Sequence, residues 1–96
     1  MSEERRDSSM MIGVKPFMNY VTGVVMQFTT KGVNEVVIKA RGKFIYRAVD
    51  VAEVVRKRFL ADQVDVKEIK IDSEEFKNRE DKTVRVSSIE ITLAKK

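Results

Sequence analysis

Apolar residues change their spacing along the chain, and each change marks a new element. A short apolar run at residues 10–14 predicts a first strand. Pro16 is typical of a helix start, and the cation and glycine of Lys31 and Gly32 are typical of a helix end. The sequence therefore predicts a helix over residues 16–31. Its apolar positions recur at helical spacing and are Val21, Val24, Val25 and Phe28.

Residues 33–40 predict the second strand. Their continuous β-branched run is typical of a strand that is covered on both faces. A second helix follows, the longest predicted, and ends at Phe59 and Leu60. Both of those residues are predicted to lie in the core, with an interface role for Phe59 as the alternative. The apolar face of this helix comprises Ile45, Ala48, Val49, Ala52, Val55 and Phe59.

Two further strand-like runs, at residues 64–72 and 84–93, share an irregularity. In the first, the apolar residues Val64 and Val66 are even-numbered, whereas Ile69 and Ile71 are odd-numbered, and the second run changes in the same way. Such a change predicts a bulge, or a strand that buries opposite faces at its two ends. The polar residues 73–83 between the runs predict a long hairpin arm that projects from the body.

The predicted order is β-α-β-α-β-β. It indicates an α/β (α+β) fold, a compact sandwich of one four-stranded mixed sheet and two helices. Residues 1–9 are polar and charged and predict a flexible N-terminal arm, so residues 10–96 form the domain.

Composition excludes several kinds of chemistry. The 96 residues contain no cysteine and no histidine, which removes disulfides, thiolate nucleophiles, imidazole catalysis and Cys/His zinc sites. We therefore predict no catalytic residue, no metal and no cofactor. Asp50 and Glu53 are interpreted as structural ion-pairing residues, and an enzyme stays the less favoured alternative. No run approaches the length of a membrane span, so a soluble intracellular protein without a membrane partner is expected.

The positive charge is concentrated in one part of the chain. Residues 10–60 carry nine lysines and arginines against three acidic residues, whereas residues 67–85 carry six charges of each sign. A surplus confined to one region is typical of a surface that faces a polyanion. The predicted hairpin arm, by contrast, is close to neutral.

The centre of this surplus is the turn between the second strand and the second helix. Lys39, Arg41 and Lys43 lie within five residues, with Gly42 among them. A glycine lets the backbone approach a ligand closely, and the first amides of the following helix can donate to an anion. The turn therefore predicts a phosphate contact, with an ordinary solvated turn as the alternative.

Several segments taken together closely resemble the Alba proteins, the small archaeal chromatin proteins. They are GVKPFMNYV at residues 13–21, VIKARGK at 37–43, RAVD at 47–50, VRKRFL at 55–60 and RVSSIEI at 85–91. The resemblance implies a fold like the C-terminal domain of translation initiation factor three. It also implies a cytoplasmic, chromosome-associated homodimer that coats and compacts double-stranded DNA with little sequence preference, and that often binds RNA.

The resemblance also implies which residues bind nucleic acid. In the body these are Lys15, Asn19, Tyr20, Arg41, Gly42, Lys43 and Arg47, and in the arm Lys77, Asn78, Arg79, Lys82 and Arg85. Phe59 corresponds to a residue of the dimer–dimer interface.

Two departures from the family pattern change the expectation. The family commonly has two lysines before the proline, and the first, a site of regulatory acetylation, is Val14 here. The arm carries acidic residues that cancel its cations. The alternative function is that of an RNA-binding protein, acting as an RNA chaperone or as a ribonucleoprotein subunit.

Overall fold

The strands and helices follow one another in the predicted order in a computed structural model, which describes residues 7–96. The strands are β1 (Asp7–Met11), β2 (Glu35–Arg41), β3 (Val64–Lys77) and β4 (Thr83–Lys95), and the α-helices are α1 (Phe17–Thr29) and α2 (Ile45–Val54). A 3-10 turn (Gly42–Phe44) precedes α2, and one π-helical turn (Val55–Phe59) extends it. None of the described helices is long and apolar enough to cross a bilayer.

The sheet has the order β1-β2-β4-β3. β1 and β2 are parallel, whereas β4 runs antiparallel to both of its neighbours. The predicted mixed four-stranded sheet with two helices is therefore confirmed. Since β1 and β2 are parallel neighbours, the loops that follow them leave the sheet at the same edge.

The core lies between the helices and one face of the sheet. In β2, Val36, Ile38 and Ala40 are buried, whereas the residues between them are only half-buried. The expectation that this strand is covered on both faces was therefore wrong. Val21 and Val24 of α1 and several residues of α2 pack in the same core cluster as the alternate residues of β2. Because both helices cover the same face of the sheet, β2 needs only one apolar face.

The first strand begins earlier than the sequence predicted. β1 starts at Asp7, which pairs with Glu35, so three residues assigned to the N-terminal arm belong to the sheet. Their polar side chains hide this pairing from an apolar pattern. The other residues of the predicted arm, 1–6, lie outside the described residues.

At the end of the second helix, only one of the two residues predicted to lie in the core is buried. The Leu60 amide donates to the Val55 carbonyl at 2.8 Å, a bond that spans five residues instead of four. Because Val55 is buried, this wider turn brings Leu60 into the core and leaves Phe59 49% exposed. The core prediction was right for Leu60 and wrong for Phe59, and Val49 is also exposed.

The change of parity in the two last strands has the two predicted causes, one in each strand. In β3 the register with β4 shifts between Val66 and Glu68, which is a bulge. The pairing of β4 with β2 is unbroken, and there Ile91 and Leu93 point into the core. Val86 lies on the opposite face of β4, in the part that extends beyond β2.

Candidate nucleic-acid interface

The two basic turns of the body lie together at one edge of the sheet. Residues 12–16 follow β1 and residues 41–44 follow β2, and both strands point to this edge. We call these two turns the basic edge. Lys15 and Arg41 are far apart in the sequence, at positions 15 and 41. The pairing of β1 with β2 brings their turns together.

The hairpin arm extends beyond the same edge. The last residue of β2, Arg41, is opposite Ser88 of β4. Residues 83–87 of β4 and 73–77 of β3 continue past this point and pair with each other. The predicted projecting hairpin is therefore present, with strands that run through most of the polar segment. The arm thus extends the sheet on the side where the basic edge lies.

Arg41 and Lys43 stand on either side of a glycine in a left-handed conformation. Gly42 has φ +56°, which a glycine adopts without steric cost. The Lys43 ammonium lies 5.5 Å from the centroid of the Phe44 ring. Arg41 Nη2 lies 3.1 Å from Glu74 Oε1 of the arm, and both side chains are more than half exposed. The main predicted phosphate ligand thus already has an anionic partner.

Glu74 should therefore compete with phosphate for Arg41. We expect Glu74→Gln to raise the affinity for duplex DNA about two- to fivefold at low salt, because an exposed ion pair contributes up to about 1 kcal/mol. The gain should shrink as salt screens both interactions. Fluorescence anisotropy with one short duplex measures it.

Glu35→Gln is the matched control for that experiment. Glu35 pairs with Lys67 at the start of β2, away from the basic edge. An equal gain in affinity for both variants would mean that only net charge matters, and no gain for Glu74→Gln would mean that the pair with Arg41 does not compete.

Tyr20 and Arg47 hold the loop that carries Lys15. The Tyr20 hydroxyl oxygen accepts hydrogen bonds from the backbone amides of Gly13 and Lys15, at 2.9 and 3.0 Å. Arg47 Nη1 donates to the carbonyls of the same two residues, at 2.6 and 2.7 Å. The Arg47 guanidinium also lies 5.6 Å from the centroid of the Tyr20 ring. Tyr20 is 6% exposed, so these two predicted site residues support the loop from beneath.

Replacing Arg47 should destabilise the protein. We expect Arg47→Met to lower the free energy of unfolding by about 1–2 kcal/mol, because two charge-assisted hydrogen bonds are lost. Urea denaturation followed by circular dichroism measures this. Arg79→Met, which removes an exposed arginine at the hairpin tip, should change it by less than about 0.5 kcal/mol. Equal stability of Arg47→Met and the wild type would contradict the supporting role.

Most of the predicted arm residues are engaged within the arm itself. Asn78 Oδ1 accepts hydrogen bonds from the amides of Glu80 and Lys82 and so shapes the turn. Lys77 lies 3.6 Å from Asp81, and Lys82 lies 3.9 Å from Glu80. The remaining predicted residues, Asn19, Arg79 and Arg85, are exposed. Lys77 and Lys82 of the arm are thus paired with acidic neighbours, as Arg41 of the basic edge is with Glu74.

Of the two carboxylates of α2, Glu53 forms ion pairs, as predicted. Glu53 lies 2.7 Å from Arg56 and 3.1 Å from Lys57, and its hydrogen bonds to these two side chains lower its pKa. Arg56 also reaches Asp65 at 3.1 Å, and its bond to Glu53 raises its pKa. Among residues 7–96, no cluster of acidic side chains is suited to hold a metal ion.

Sequence reasoning missed two features of this surface. One is Glu74, which is 33 residues from Arg41 and reaches it only through the register of β3 on β4. The other is a set of exposed apolar side chains beside the basic edge, which includes Met11 and Phe76. No local signal marks either feature, because strand pairing creates both.

Known proteins resemble this chain in both sequence and fold. The sequence profile described as Alba matches residues 8–73, more than half of the chain. The chain belongs to the Alba family. "DNA/RNA-binding protein Alba" of Nanoarchaeum equitans is 66% identical over 86 residues, which cover 88% of this chain and 94% of that protein. "DNA/RNA-binding protein Alba 1" of Archaeoglobus fulgidus is 59% identical over 90 residues, 94% of this chain and 98% of that protein.

Solved structures of Alba proteins share the fold. Alba from Thermoplasma volcanium superposes with a TM-score of 0.79 at 46% identity, over 90% of this chain and 98% of that chain. ALBA1 from Trypanosoma brucei gives a TM-score of 0.70 at 24% identity, over 98% of this chain and 72% of that chain, and this likeness concerns the fold alone. The family and the fold predicted from the sequence are thus confirmed.

Proposed function

We propose that this Alba-family chain binds double-stranded DNA without sequence preference, coats and compacts chromosomal DNA in the cytoplasm, and also binds RNA. The observation that carries the proposal is the basic edge, where Lys15, Arg41 and Lys43 meet beside a projecting hairpin. The names of its relatives, which describe DNA/RNA-binding proteins, support the same function.

The mechanism is neutralisation of phosphates. Cations of the basic edge displace counterions from the duplex, so the logarithm of the affinity should fall linearly with the logarithm of the salt concentration, with a slope of about −0.9 per phosphate contacted. The described helices do not present a row of Asn, Gln and Arg suited to the major groove. Base identity should therefore contribute little.

A titration of unrelated duplexes tests this proposal. Anisotropy curves for several sequences should nearly coincide at each salt concentration and should shift together as salt is raised. A preference above roughly a hundredfold for one sequence, or an affinity that does not respond to salt, would overturn it.

We further propose that the functional unit is a homodimer. Ile69 and Ile71 of β3 are 57% and 80% exposed and project from the same face of the sheet as the core residues. Ile71 lines an open groove with Ile45 and Ile89, and Val49 lies one helical turn beyond Ile45. We call Ile45, Val49, Ile69, Ile71 and Ile89 the apolar face. A contiguous exposed apolar surface on a small domain is typical of a protein–protein contact, and a second copy is its proposed partner.

Phe59 is proposed to join one dimer to the next on DNA. Its exposure, which the π-helical turn produces, makes the side chain available for this contact. Cooperative binding along a long duplex should therefore weaken in Phe59→Ala, whereas binding to a duplex that holds a single dimer should not. Unchanged cooperativity would exclude the contact.

The alternative is a role in which RNA is the main ligand, as an RNA chaperone or a ribonucleoprotein subunit. The exposed apolar side chains beside the basic edge favour it, because unpaired bases stack on such surfaces and paired bases do not. Direct competition between duplex DNA and structured RNA at one salt concentration distinguishes the two.

A further inference from the structure

A shallow, open groove of about 500 Å³ adjoins the basic edge. All four strands and the 3-10 turn contribute residues to the lining of this groove. The lining residues include Met11, Phe44, Phe76 and Val86, with Arg41 and Lys43 at the same site. We call this site the aromatic groove. It is distinct from the apolar face, which lies on the helix side of the sheet.

The strand register explains how these side chains meet. Arg41 is opposite Ser88, and Val86 and Ser88 point to the same face of β4. Val86 is in turn opposite Glu74, and Phe76 lies two residues further along the same face of β3. Met11 of β1, which is opposite Lys39 of β2, shares that face. One cation and three apolar side chains of four strands therefore project together from the face opposite the core.

The apolar side chains of the aromatic groove are only partly covered. Met11 is 59% exposed and Phe76 is 46% exposed, and Phe44 is half-buried beneath the Lys43 ammonium. Exposed aromatic and methionine side chains grouped beside cations are uncommon on a surface that only contacts water. The combination fits an occupant that has both a flat apolar part and a negative charge.

We propose that the aromatic groove binds an unpaired nucleobase of single-stranded RNA, with the base on Phe76 and Met11 and the adjoining phosphates on Arg41 and Lys43. This inference rests on the proposed function and adds to it a site for a chemical group that a duplex does not expose. Stacking of a base on an aromatic ring tolerates any sequence, because every base has a π-face. Gly42, with nothing within 4 Å of its Cβ position, leaves room for the sugar–phosphate chain to approach.

The shape of the groove favours a base over two other occupants. A side chain that wedges into duplex DNA must protrude, whereas these side chains line a depression, and a paired base inside a duplex cannot reach them. A second copy of this chain would bring its own cations toward Arg41 and Lys43, which the positive charge of this surface opposes. A nucleotide complements both the charge and the apolar surface.

Phe76→Ala tests the inference with three fluorescently labelled probes of about 12 nucleotides: an oligouridine RNA, an oligomer of abasic ribose phosphates and a DNA duplex. Anisotropy should show a loss of affinity of about five- to tenfold for the RNA and of less than about twofold for the other two probes. The salt slope for the RNA should stay unchanged, because no charge is removed. Phe76→Leu, which keeps an apolar side chain in the strand, should show an intermediate loss.

Met26→Ala is the matched control, since it removes an apolar side chain of similar exposure, 49% against 46% for Phe76, outside the aromatic groove. It should bind all three probes as the wild type does. Equal losses for RNA, abasic oligomer and duplex in Phe76→Ala would overturn the inference and show that Phe76 only supports the arm. A lower mass in sedimentation would overturn it in favour of a contact between copies. The proposed function fails separately, if the wild type binds none of the three probes.

Discussion

Ile71→Lys is expected to separate the proposed homodimer and to weaken duplex binding by about a hundredfold, although it adds a positive charge. Ile71 is 80% exposed, so the substitution costs the monomer little core packing. In the proposed dimer, however, a lysine on the apolar face would lose its hydration against the partner's apolar face. Linking two basic edges in one particle makes the second contact intramolecular, which raises affinity by roughly 10²–10⁴.

The sign of the introduced charge makes this experiment decisive. Simple electrostatics predicts that an added lysine increases the affinity for DNA, whereas loss of the dimer predicts a decrease. Sedimentation equilibrium gives the mass, and anisotropy on the same samples gives the affinity. Met26→Lys is the matched control, because Met26 is a 49% exposed residue of α1 outside the apolar face. A dimeric Ile71→Lys, or one that binds duplex as tightly as Met26→Lys, would contradict the role of the apolar face.

The sequence predicted the order of the elements because each depends on neighbouring residues. Helical spacing identified α1, and the change of parity predicted an irregularity in β3, which the structure shows to be a bulge between Val66 and Glu68. It failed where partners distant in sequence decide the outcome. β1 begins at Asp7 because β2 is beside it, and an apolar pattern cannot show pairing by polar residues. Leu60 replaces Phe59 in the core because one hydrogen bond spans five residues, which no spacing rule for an α-helix anticipates.

The candidate site was predictable in its cations but not in their partners. Residue type and charge distribution marked Arg41 and Lys43, and the resemblance to Alba proteins marked Lys15. They could not show that Arg47 and Tyr20 hold the Lys15 loop, because those hydrogen bonds cross from α2 and α1 to the loop after β1. Nor could they show that Glu74 reaches Arg41. An arginine within a basic cluster can bind a ligand or support the backbone, and the acceptors around it determine which.

Arg41→Ala should weaken duplex binding about 30-fold, more than any single substitution in the hairpin arm. Each dimer would lose two exposed guanidinium groups, one from the basic edge of each subunit. The loss of each group would also leave one Glu74 carboxylate unpaired beside the duplex. Lys77 and Lys82 of the arm, like Arg41, have acidic neighbours, at 3.6 and 3.9 Å. They lie, however, in residues 67–85, which carry six charges of each sign, whereas Arg41 lies in the positive surplus of residues 10–60. We expect arm substitutions to cost about threefold or less.

The double variant Arg41→Ala/Glu74→Gln separates the two parts of that effect. If part of the loss comes from the unpaired carboxylate, removing its charge should restore about threefold in affinity, and the remaining loss measures the phosphate contact. The salt slope should fall by about 2 for the dimer in both variants, because one phosphate contact disappears from each subunit. An arm variant such as Arg85→Ala with a larger loss than Arg41→Ala would show that the duplex is held mainly by the hairpins, and that the basic edge serves another ligand.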